Sequence, residues 1–351
     1  MRDYRKPQQK RRFVLYWSSM RQYENCPQSF LWSHGWGTID CGGGLGRRKP
    51  KPVERSAHHA VMGIVLANFW EWLYNDEEWK HPVGMLNRLL AKARKDFSRL
   101  CVDKFIDWRL APSWDEMLDV IEAGIQGYIK TMRANKLLGP YAKSEVDLTC
   151  YVDQWTPIGG RADLIFRRPD TGITILDGKN SRRYKDRKTG GWMTYTDPDQ
   201  LRWYALCFYL AYKKMVDQIG FVYFRYPYGQ ERLDADGDPI PEVDENGIPT
   251  GLNVAETGVD WVSFDRDDLK GIATRAKDAM RAISRENFPA NPGPTQCKFC
   301  DYETCCPERI AQRTANRRTR KAKDPLLAET TNQGFVMFGM GPGGSVPFGL
   351  E

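Results

Sequence analysis

The spacing of apolar residues along the chain changes from a helical to a strand-like period. Between residues 56 and 140 apolar positions recur every three or four residues, as at Val61, Val65, Phe69 and Trp72. The same spacing predicts further helices at 85–109 and 114–135. From residue 145 the apolar positions alternate, which predicts strands at 145–153, 158–168, 173–179 and 220–226. Later helices are predicted at 198–216 and 269–283.

These changes of pattern divide the chain into six predicted segments. They are an N-terminal segment with a basic loop (1–55), a helical subdomain (56–140), a strand-rich core (141–229), an acidic hairpin insertion (230–258), a helix with a cysteine cluster (259–306) and a basic, then Gly-rich tail (307–351). Within the tail, residues 309–323 are predicted to be disordered or to bind nucleic acid or a partner.

Composition restricts the function without selecting it. The 351 residues include 52 basic and 45 acidic side chains, a net charge of +7. Residues 1–12, 47–55 and 307–325 carry more than that total, so the remainder is acidic, and a polyanionic partner is permitted. We find no signal-peptide pattern or membrane-length apolar run. Nine cysteines, an odd number, argue against a disulfide scaffold. We therefore expect a reduced, cytoplasmic protein with no membrane partner.

Two predicted strands carry a group of charged residues. Asp177 and Lys179 are two apart, so their side chains share one face of a strand. If 169–172 form a four-residue loop, Arg168 pairs with Ile173, and Asp163 lies opposite Gly178. A bulge would shift this register by one residue, but the two carboxylates and the lysine converge in either case. Paired carboxylates suit Mg²⁺ or Mn²⁺, which activates water at a phosphodiester, and a nearby lysine can orient that water or offset developing negative charge.

A second group consists of cysteines near the two ends of the chain. Cys297 and Cys300 have the C-x2-C spacing of a chelating turn, and Cys306 extends it to C-x2-C-x5-C. Cys305 is a competing third ligand, and Cys26 is the best distant candidate for the fourth. The spacing alone leaves both zinc and an iron–sulfur cluster open. The remaining cysteines are expected to be ordinary thiols.

Taken in order, the motifs resemble those of one enzyme family. They are Y-x2-C-P-x2-F at 23–30, a helical histidine, G-x2-D at 160–163, D-x-K at 177–179, Q-x3-Y at 200–204 and C-x2-C-x5-C at 297–306. The set resembles the RecB-like branch of the PD-(D/E)XK nucleases, and most closely its CRISPR-associated and AddB-type exonucleases with a [4Fe–4S] cluster. The resemblance spans residues 16–306. It implies an α/β, restriction-endonuclease-like fold with a mixed central sheet flanked by helices, an N-terminal helical subdomain and a C-terminal Fe–S region.

The resemblance also implies a role for each matched residue. Asp163 and Asp177 would bind Mg²⁺ or Mn²⁺, and Lys179 would be the catalytic lysine. Gln200 and Tyr204 would contact DNA or steady the site. The implied cluster ligands are Cys26, Cys297, Cys300 and Cys306.

The histidine departs from the family pattern. The family's metal-binding histidine usually stands in a G-x3-H context, whereas Gly63 is followed at that spacing by Ala67. His59, on the same helix, would be the substitute ligand, with His58 and Glu71 as alternatives.

The function implied by the resemblance is a metal-dependent DNA nuclease. It would be an exonuclease on single-stranded DNA or DNA ends, in recombination, repair or CRISPR-adaptation-like processing, in a prokaryotic or phage-infected cell. The alternative is a non-catalytic DNA-end-binding or scaffold subunit of a helicase–nuclease or adaptation complex. A recombination, helicase or adaptation protein would be a partner. Basic residues at 47–55 and 182–188 would follow the phosphates. Trp192, Tyr195 and Trp203 are near enough to them in sequence to stack on bases, although most of these three are expected to belong to the core.

Overall fold

The structure is a computed structural model whose chain divides into two compact units, Met1–Pro289 and Ala290–Glu351. It describes residues 13–34, 58–103, 106, 112–139, 141–168, 172–179, 184–185, 192–193, 197–224, 238–244, 246–253, 258–293, 297, 300, 302–303 and 306–323. None of the described helices is long and apolar enough to cross a membrane.

The described helices and strands have the following bounds. The helices are α1 Trp17–Asn25, α2 Pro27–His34, α3 His58–Trp70, α4 Met85–Asp103, α5 Trp114–Ala134, α6 Pro198–Tyr212, α7 Arg266–Ser284 and, in the second unit, α8 Pro307–Lys323. A π-helical turn, Glu71–Asn75, continues α3, and a 3₁₀ turn follows at Glu78–Lys80. The strands are β1 Leu15–Tyr16, β2 Ala142–Tyr151, β3 Pro157–Arg168, β4 Gly172–Lys179, β5 Tyr184–Lys185, β6 Trp192–Met193, β7 Gln218–Tyr223, β8 Pro241–Val243, β9 Pro249–Asn253 and β10 Val259–Val262.

The first unit is built on a six-stranded mixed sheet, and the predicted fold class is confirmed. The strand order is β1-β3-β4-β7-β10, and β2 also pairs with β3. Strand β3 is antiparallel to β2 and β4, while β4 and β7 are parallel. Parallel neighbours need a crossover connection, and α6 lies between β4 and β7 in the chain. This crossover brings α6 over the sheet.

Two apolar cores cover the two faces of the sheet. On one face α1, α2, α6 and α7 pack on Ile158, Ile165 and Ile175. On the other face α3, α4 and α5 pack on Leu164 and Leu176. The helices predicted at 56–140 therefore form one layer of the sheet's own core.

Local sequence signals set where the important helices begin. Asp197 caps α6 by accepting from the backbone N–H of Asp199, and Pro198 occupies the first turn, where its missing N–H costs nothing. A reciprocal capping box between Asp265 and Asp268 starts α7. These caps fix the position of α6 along the sheet and with it the residues that α6 presents.

The register between β3 and β4 differs by one residue from the expected one. Arg168 pairs with Gly172, not with Ile173, and the paired region ends at Leu164 and Leu176. Gly172 has a φ of +73°, which shortens the connection because glycine adopts this left-handed backbone readily. The turn residues 169–171 lie outside the described part of the chain.

Strands β2 and β3 interrupt their side-chain alternation at the same level. On β3, Ile158 and Ala162 face the α6 core, but Leu164, two residues further, faces the opposite core. On β2, Leu148 faces the α6 core while Ala142 faces the opposite one. Glu145, between these β2 residues, has a left-handed φ of 53°. Both strands therefore kink where Glu145 passes Asp163.

Two regions outside the sheet differ in their outcome. In the acidic insertion, β8 and β9 form a two-stranded antiparallel hairpin. Residues 309–323, for which the sequence predicted either disorder or binding to nucleic acid or a partner, lie in helix α8, so the prediction of disorder is wrong and that of binding stays a prediction. Their composition explains the helix, since Ala, Arg, Gln and Lys are strong helix formers and Pro307 suits a first helical turn.

Candidate active site

The site lies where β3 and β4 separate. Beyond the last ladder pair, Leu164 and Leu176, the Asp163 carboxylate replaces the missing strand partner. Its Oδ2 accepts a hydrogen bond from the backbone N–H of Gly178 at 2.9 Å. Asp163 is thereby held beside the D-x-K segment of the neighbouring strand.

Asp177 is the most buried charged group of the site. Its side chain is 2% exposed and forms an ion pair with the Lys179 ammonium. Its Oδ1 accepts from Gln200 Nε2 at 2.9 Å, and its Oδ2 is the oxygen that contacts the Lys179 ammonium. The cation of Lys179 also lies 5.3 Å from the centroid of the Phe221 ring.

The amide of Gln200 connects the charged residues of β4 to helix α6. Its Oε1 accepts from Lys179 Nζ at 2.9 Å. Its Nε2 donates to Asp177 and, at 3.1 Å, to the hydroxyl oxygen of Tyr204 one turn along α6. An amide is required here because the position needs both a donor and an acceptor. A glutamate would place a third negative charge beside Asp177.

Two glycines of the motifs make room for aromatic rings. A Cβ on Gly160 would lie 2.9 Å from the Tyr204 ring. A Cβ on Gly178 would lie 2.0 Å from Trp70. The glycine in G-x2-D therefore lets Tyr204 reach the site, and the glycine in D-x-K lets α3 pack under it.

Burial raises the proton affinity of the site. Burial, followed by the charge of Asp177, raises the pKa of Asp163 well above its usual range. Burial also raises the pKa of Asp177, against the opposing effect of Lys179. Burial and the charge of Asp177 raise the pKa of Tyr204, so its hydroxyl stays protonated. Two repelling carboxylates in a buried site are the electrostatic condition that a divalent cation relieves.

The residues fit a hard divalent cation. Asp163 and Asp177 supply carboxylate oxygens, the ligands that Mg²⁺ and Mn²⁺ prefer, and the charge of Asp177 raises the pKa of the neighbouring Asp163. Among the residues that the structure describes, no three His, Cys, Asp or Glu side chains form a metal-binding group. Two carboxylates would leave further positions to water and substrate phosphate, which is the usual state of protein-bound Mg²⁺.

The proposed third metal ligand is not resolved by the geometry. His59 lies in α3, but its side chain is outside the described part of the chain. Glu71 begins the π-helical turn, and its charge contributes, after burial, to raising the pKa of Glu145. Glu145 in turn adds to the raised pKa of Asp163. Glu145 was not expected at the site, because no local sequence signal marks a glutamate with a left-handed backbone within a strand.

The DNA-contacting residues suggested by the sequence are only partly described. Trp203 is fully buried, and its indole N–H donates to the Gly159 carbonyl at 2.9 Å, so its ring supports the core. The described part of the chain does not include the loop at 47–55, Tyr195, or the side chains of residues 182–188 and Trp192.

Each proposed cluster cysteine can be placed only within its own unit. Cys26 separates α1 from α2 in the first unit. In the second unit Cys297 and Cys306 are buried, and the backbone N–H of Cys300 donates to the Cys297 carbonyl at 3.2 Å, as in a tight turn. The alternative ligand Cys305 is outside the described residues. The cluster stays a prediction from spacing.

Three comparisons with known proteins were made. A family model described as PD-(D/E)XK nuclease superfamily matches residues 17–307. No curated protein matches the chain. A solved structure titled "Crystal structure of SSO0001" shares 16% identity, with 74% of this chain and 89% of that chain covered, at a TM-score of 0.28. That score is too low to support a conclusion about the fold.

Proposed function

Since the chain belongs to the PD-(D/E)XK nuclease superfamily, we propose that it is a metal-dependent deoxyribonuclease whose reaction is carried out by Asp163, Asp177 and Lys179. The observation that carries the proposal is the continuous hydrogen-bonded and ionic network from Asp177 through Lys179 and Gln200. A structural ion pair on the surface needs no buried carboxylate and no amide that joins both partners.

The residues of the network divide the chemical work. Asp163 and Asp177 would hold Mg²⁺ or Mn²⁺, which when bound lowers the pKa of a water and polarises the phosphate. Lys179 would orient the attacking water and offset negative charge in the transition state. Gln200 is a positioning residue, because it touches both Lys179 and Asp177 and fixes the direction of the ammonium. Tyr204 keeps the amide in that orientation.

The finer assignment rests on the resemblance to RecB-like exonucleases. It comprises exonucleolytic action on single-stranded DNA or DNA ends, in recombination, repair or CRISPR-adaptation-like processing with a helicase, recombination or adaptation partner, in the cytoplasm. The alternative, a non-catalytic DNA-end-binding subunit, would not require Lys179 and Gln200 to remain in contact. We therefore favour the enzyme.

The test is degradation of labelled DNA by the purified full chain with Mn²⁺. Lys179→Ala is expected to abolish cleavage, and its circular dichroism is compared with that of wild type because the variant removes the ion-pair partner of buried Asp177. Lys270→Ala is the matched control, since that lysine is exposed on α7 and forms an exposed ion pair with Asp267. Linear and circular single strands, duplexes and RNA distinguish exonuclease from endonuclease and DNA from RNA substrates. Equal cleavage by wild type and Lys179→Ala would remove the catalytic assignment.

We also propose that Cys26, Cys297, Cys300 and Cys306 bind a [4Fe–4S] cluster, with a zinc ion as the alternative to the cluster. The burial of Cys297 and Cys306 supports the proposal, because cluster-binding thiolates are shielded from solvent and oxidants. The C-x2-C turn at Cys297 and Cys300 supports it as well.

A further inference from the structure

A second cavity opens between α6 and the ends of β2 and β3. Its volume is about 450 Å³, which is within the range of small-molecule sites. The residues that matter for its chemistry are Tyr141, Lys143, Ile165, Arg167, Phe208 and Tyr212. None of the Asp, Asn, Gln or Glu side chains of the described chain lines it.

The cavity combines positive charge with aromatic surface. The Arg167 guanidinium lies 5.3 Å from the centroid of the Tyr212 ring and 5.8 Å from that of Phe208. Stacking of this kind leaves the guanidinium N–H groups available for an anion. Among the described residues no carboxylate forms an ion pair with Arg167 or Lys143. Two cations without acidic partners at one cavity favour an anionic ligand.

The rim presents flat apolar surface beside these cations. Tyr141 is 50% exposed and Tyr212 is 44% exposed. Exposed tyrosines beside basic side chains are the surface on which nucleic-acid bases stack while their phosphates meet the cations. The ligand chemistry that fits the cavity is therefore an anion joined to a planar ring, which is a nucleotide.

The cavity lies in the same seam between sheet and helix as the candidate active site. On α6, Gln200 and Tyr204 of the site are followed at four-residue spacing by Phe208 and Tyr212 of the cavity. On β3, Ile165 and Arg167 of the cavity follow Asp163 of the site along the same strand. Tyr204 and Tyr212 are eight residues apart, or about 12 Å along a helix. If the single strand keeps the stacked rise of about 3.4 Å per nucleotide that it has in a duplex, three to four nucleotides cover that distance.

We propose that this cavity is a nucleotide-binding subsite that holds single-stranded DNA a few nucleotides from the scissile bond. Tyr141 and Tyr212 stack on a base, and Lys143 and Arg167 bind the adjacent phosphates. The inference rests on the proposed nuclease function for the identity of the strand. Lys179, a described cation of the active site, pairs with Asp177, so the subsite would add cations that can bind the substrate phosphates.

The test measures binding of a fluorescent oligothymidylate to the full chain in EDTA, where no cleavage occurs. Tyr212→Ala is expected to raise Kd by at least about fivefold through loss of one base stack. Lys143→Ala and Arg167→Ala are each expected to reduce the slope of log Kd against log salt concentration by about one. Tyr209→Ala and Lys214→Ala are the controls; Tyr209 is on the same helix and 39% exposed, but it faces a different pocket.

Cleavage in Mn²⁺ separates this inference from the proposed function. We expect the cavity variants to raise KM with kcat little changed, whereas Lys179→Ala loses kcat. If wild type cleaves DNA and the Tyr212 and Arg167 variants bind and cleave like it, the subsite is overturned while the nuclease stands. If wild type binds in a cavity-dependent manner without cleaving, the nuclease falls and the subsite stands. If thymidine monophosphate binds but the variants leave oligonucleotide affinity unchanged, the cavity takes free nucleotides and the strand assignment is wrong.

Discussion

Gly178, the middle residue of the D-x-K segment, is predicted to tolerate no side chain. A Cβ at this position would lie 2.0 Å from Cη2 and 2.5 Å from Cζ2 of Trp70, whereas carbon atoms in contact are about 3.5–4.0 Å apart. The Trp70 ring cannot easily move away, because it stacks on Phe224 with centroids 5.5 Å apart and packs on Tyr128 at the same distance.

The cost of Gly178→Ala follows from this overlap of roughly 1.5 Å. Overpacking a rigid core costs about 1–3 kcal/mol, and the immobile ring places this variant near the upper end, about 3 kcal/mol. The corresponding fall in Tm is roughly 5 °C for the unit Met1–Pro289, at an unfolding entropy of about 2.1 cal/mol/K per residue. Urea unfolding followed by tryptophan fluorescence measures the change. Cleavage is expected to fall as well, since the Gly178 N–H holds Asp163.

Two further variants make the reasoning refutable. Gly271→Ala, in α7, is the matched control because its Cβ would meet nothing within 4 Å, and alanine should stabilise that helix by about 0.5–1 kcal/mol. Trp70→Phe removes the outer ring atoms that collide, so the double variant should cost less than the sum of the single ones. Wild-type stability of Gly178→Ala, or an additive double variant, would show that the ring does not restrict this position.

Three other predictions concern the metal site, an ionic cluster and the cysteines. Asp163→Asn should abolish the Mn²⁺-dependent rise in Tm, worth about 2.7 kcal/mol at metal 100-fold above Kd, while exposed Asp147→Asn retains it; equal shifts would exclude Asp163 as a ligand. Burial raises the pKa of Asp199, but the hydrogen bonds from Arg202 and Arg275 lower it by more, so the pKa of Asp199 lies below its usual value. The stability that this carboxylate contributes is therefore present above about pH 4 and is lost as pH falls through the folded pKa. Asp199→Asn should lower the free energy of unfolding at pH 7, and its stability should converge with that of wild type at low pH. A stability difference that persisted in acid would indicate a packing effect instead. Cys300→Ala should lose the visible absorption, iron and sulfide of the purified protein, whereas Cys101→Ala keeps them; colourless wild type with bound zinc would decide for zinc.

The sequence predicted the layers of the fold and the residues that meet, because both depend on short-range patterns. Helical and alternating spacing located the helices and strands, and Asp163 was expected beside the D-x-K strand across a hairpin. Because Asp163 lies beside that strand, its carboxylate can accept a hydrogen bond from the Gly178 N–H. The roles of these residues stay predictions until cleavage is measured.

Other features depend on tertiary contacts that no local pattern records. The register was displaced by one residue because Gly172 adopts a left-handed conformation beside Asp217, whose carboxylate accepts the Ile173 N–H at 2.7 Å. The role of Gln200 as a bridge could not be read from Q-x3-Y, because it depends on where α6 crosses β4. The cavity at Arg167 combines residues of the neighbouring strands β2 and β3 with residues of α6, so it depends on where the crossover places that helix.

The paired kink at Glu145 and Asp163 has a consequence for folding. Strands with uniform alternation can slip by two residues and still place apolar side chains on the correct faces. In β2 and β3 such a slip would put the two interruptions at different levels, and part of each strand would then turn its apolar residues away from its core. The kink therefore specifies a single register between the two strands. Asp163, at the point where β3 and β4 separate, therefore occupies the same position in every folded molecule.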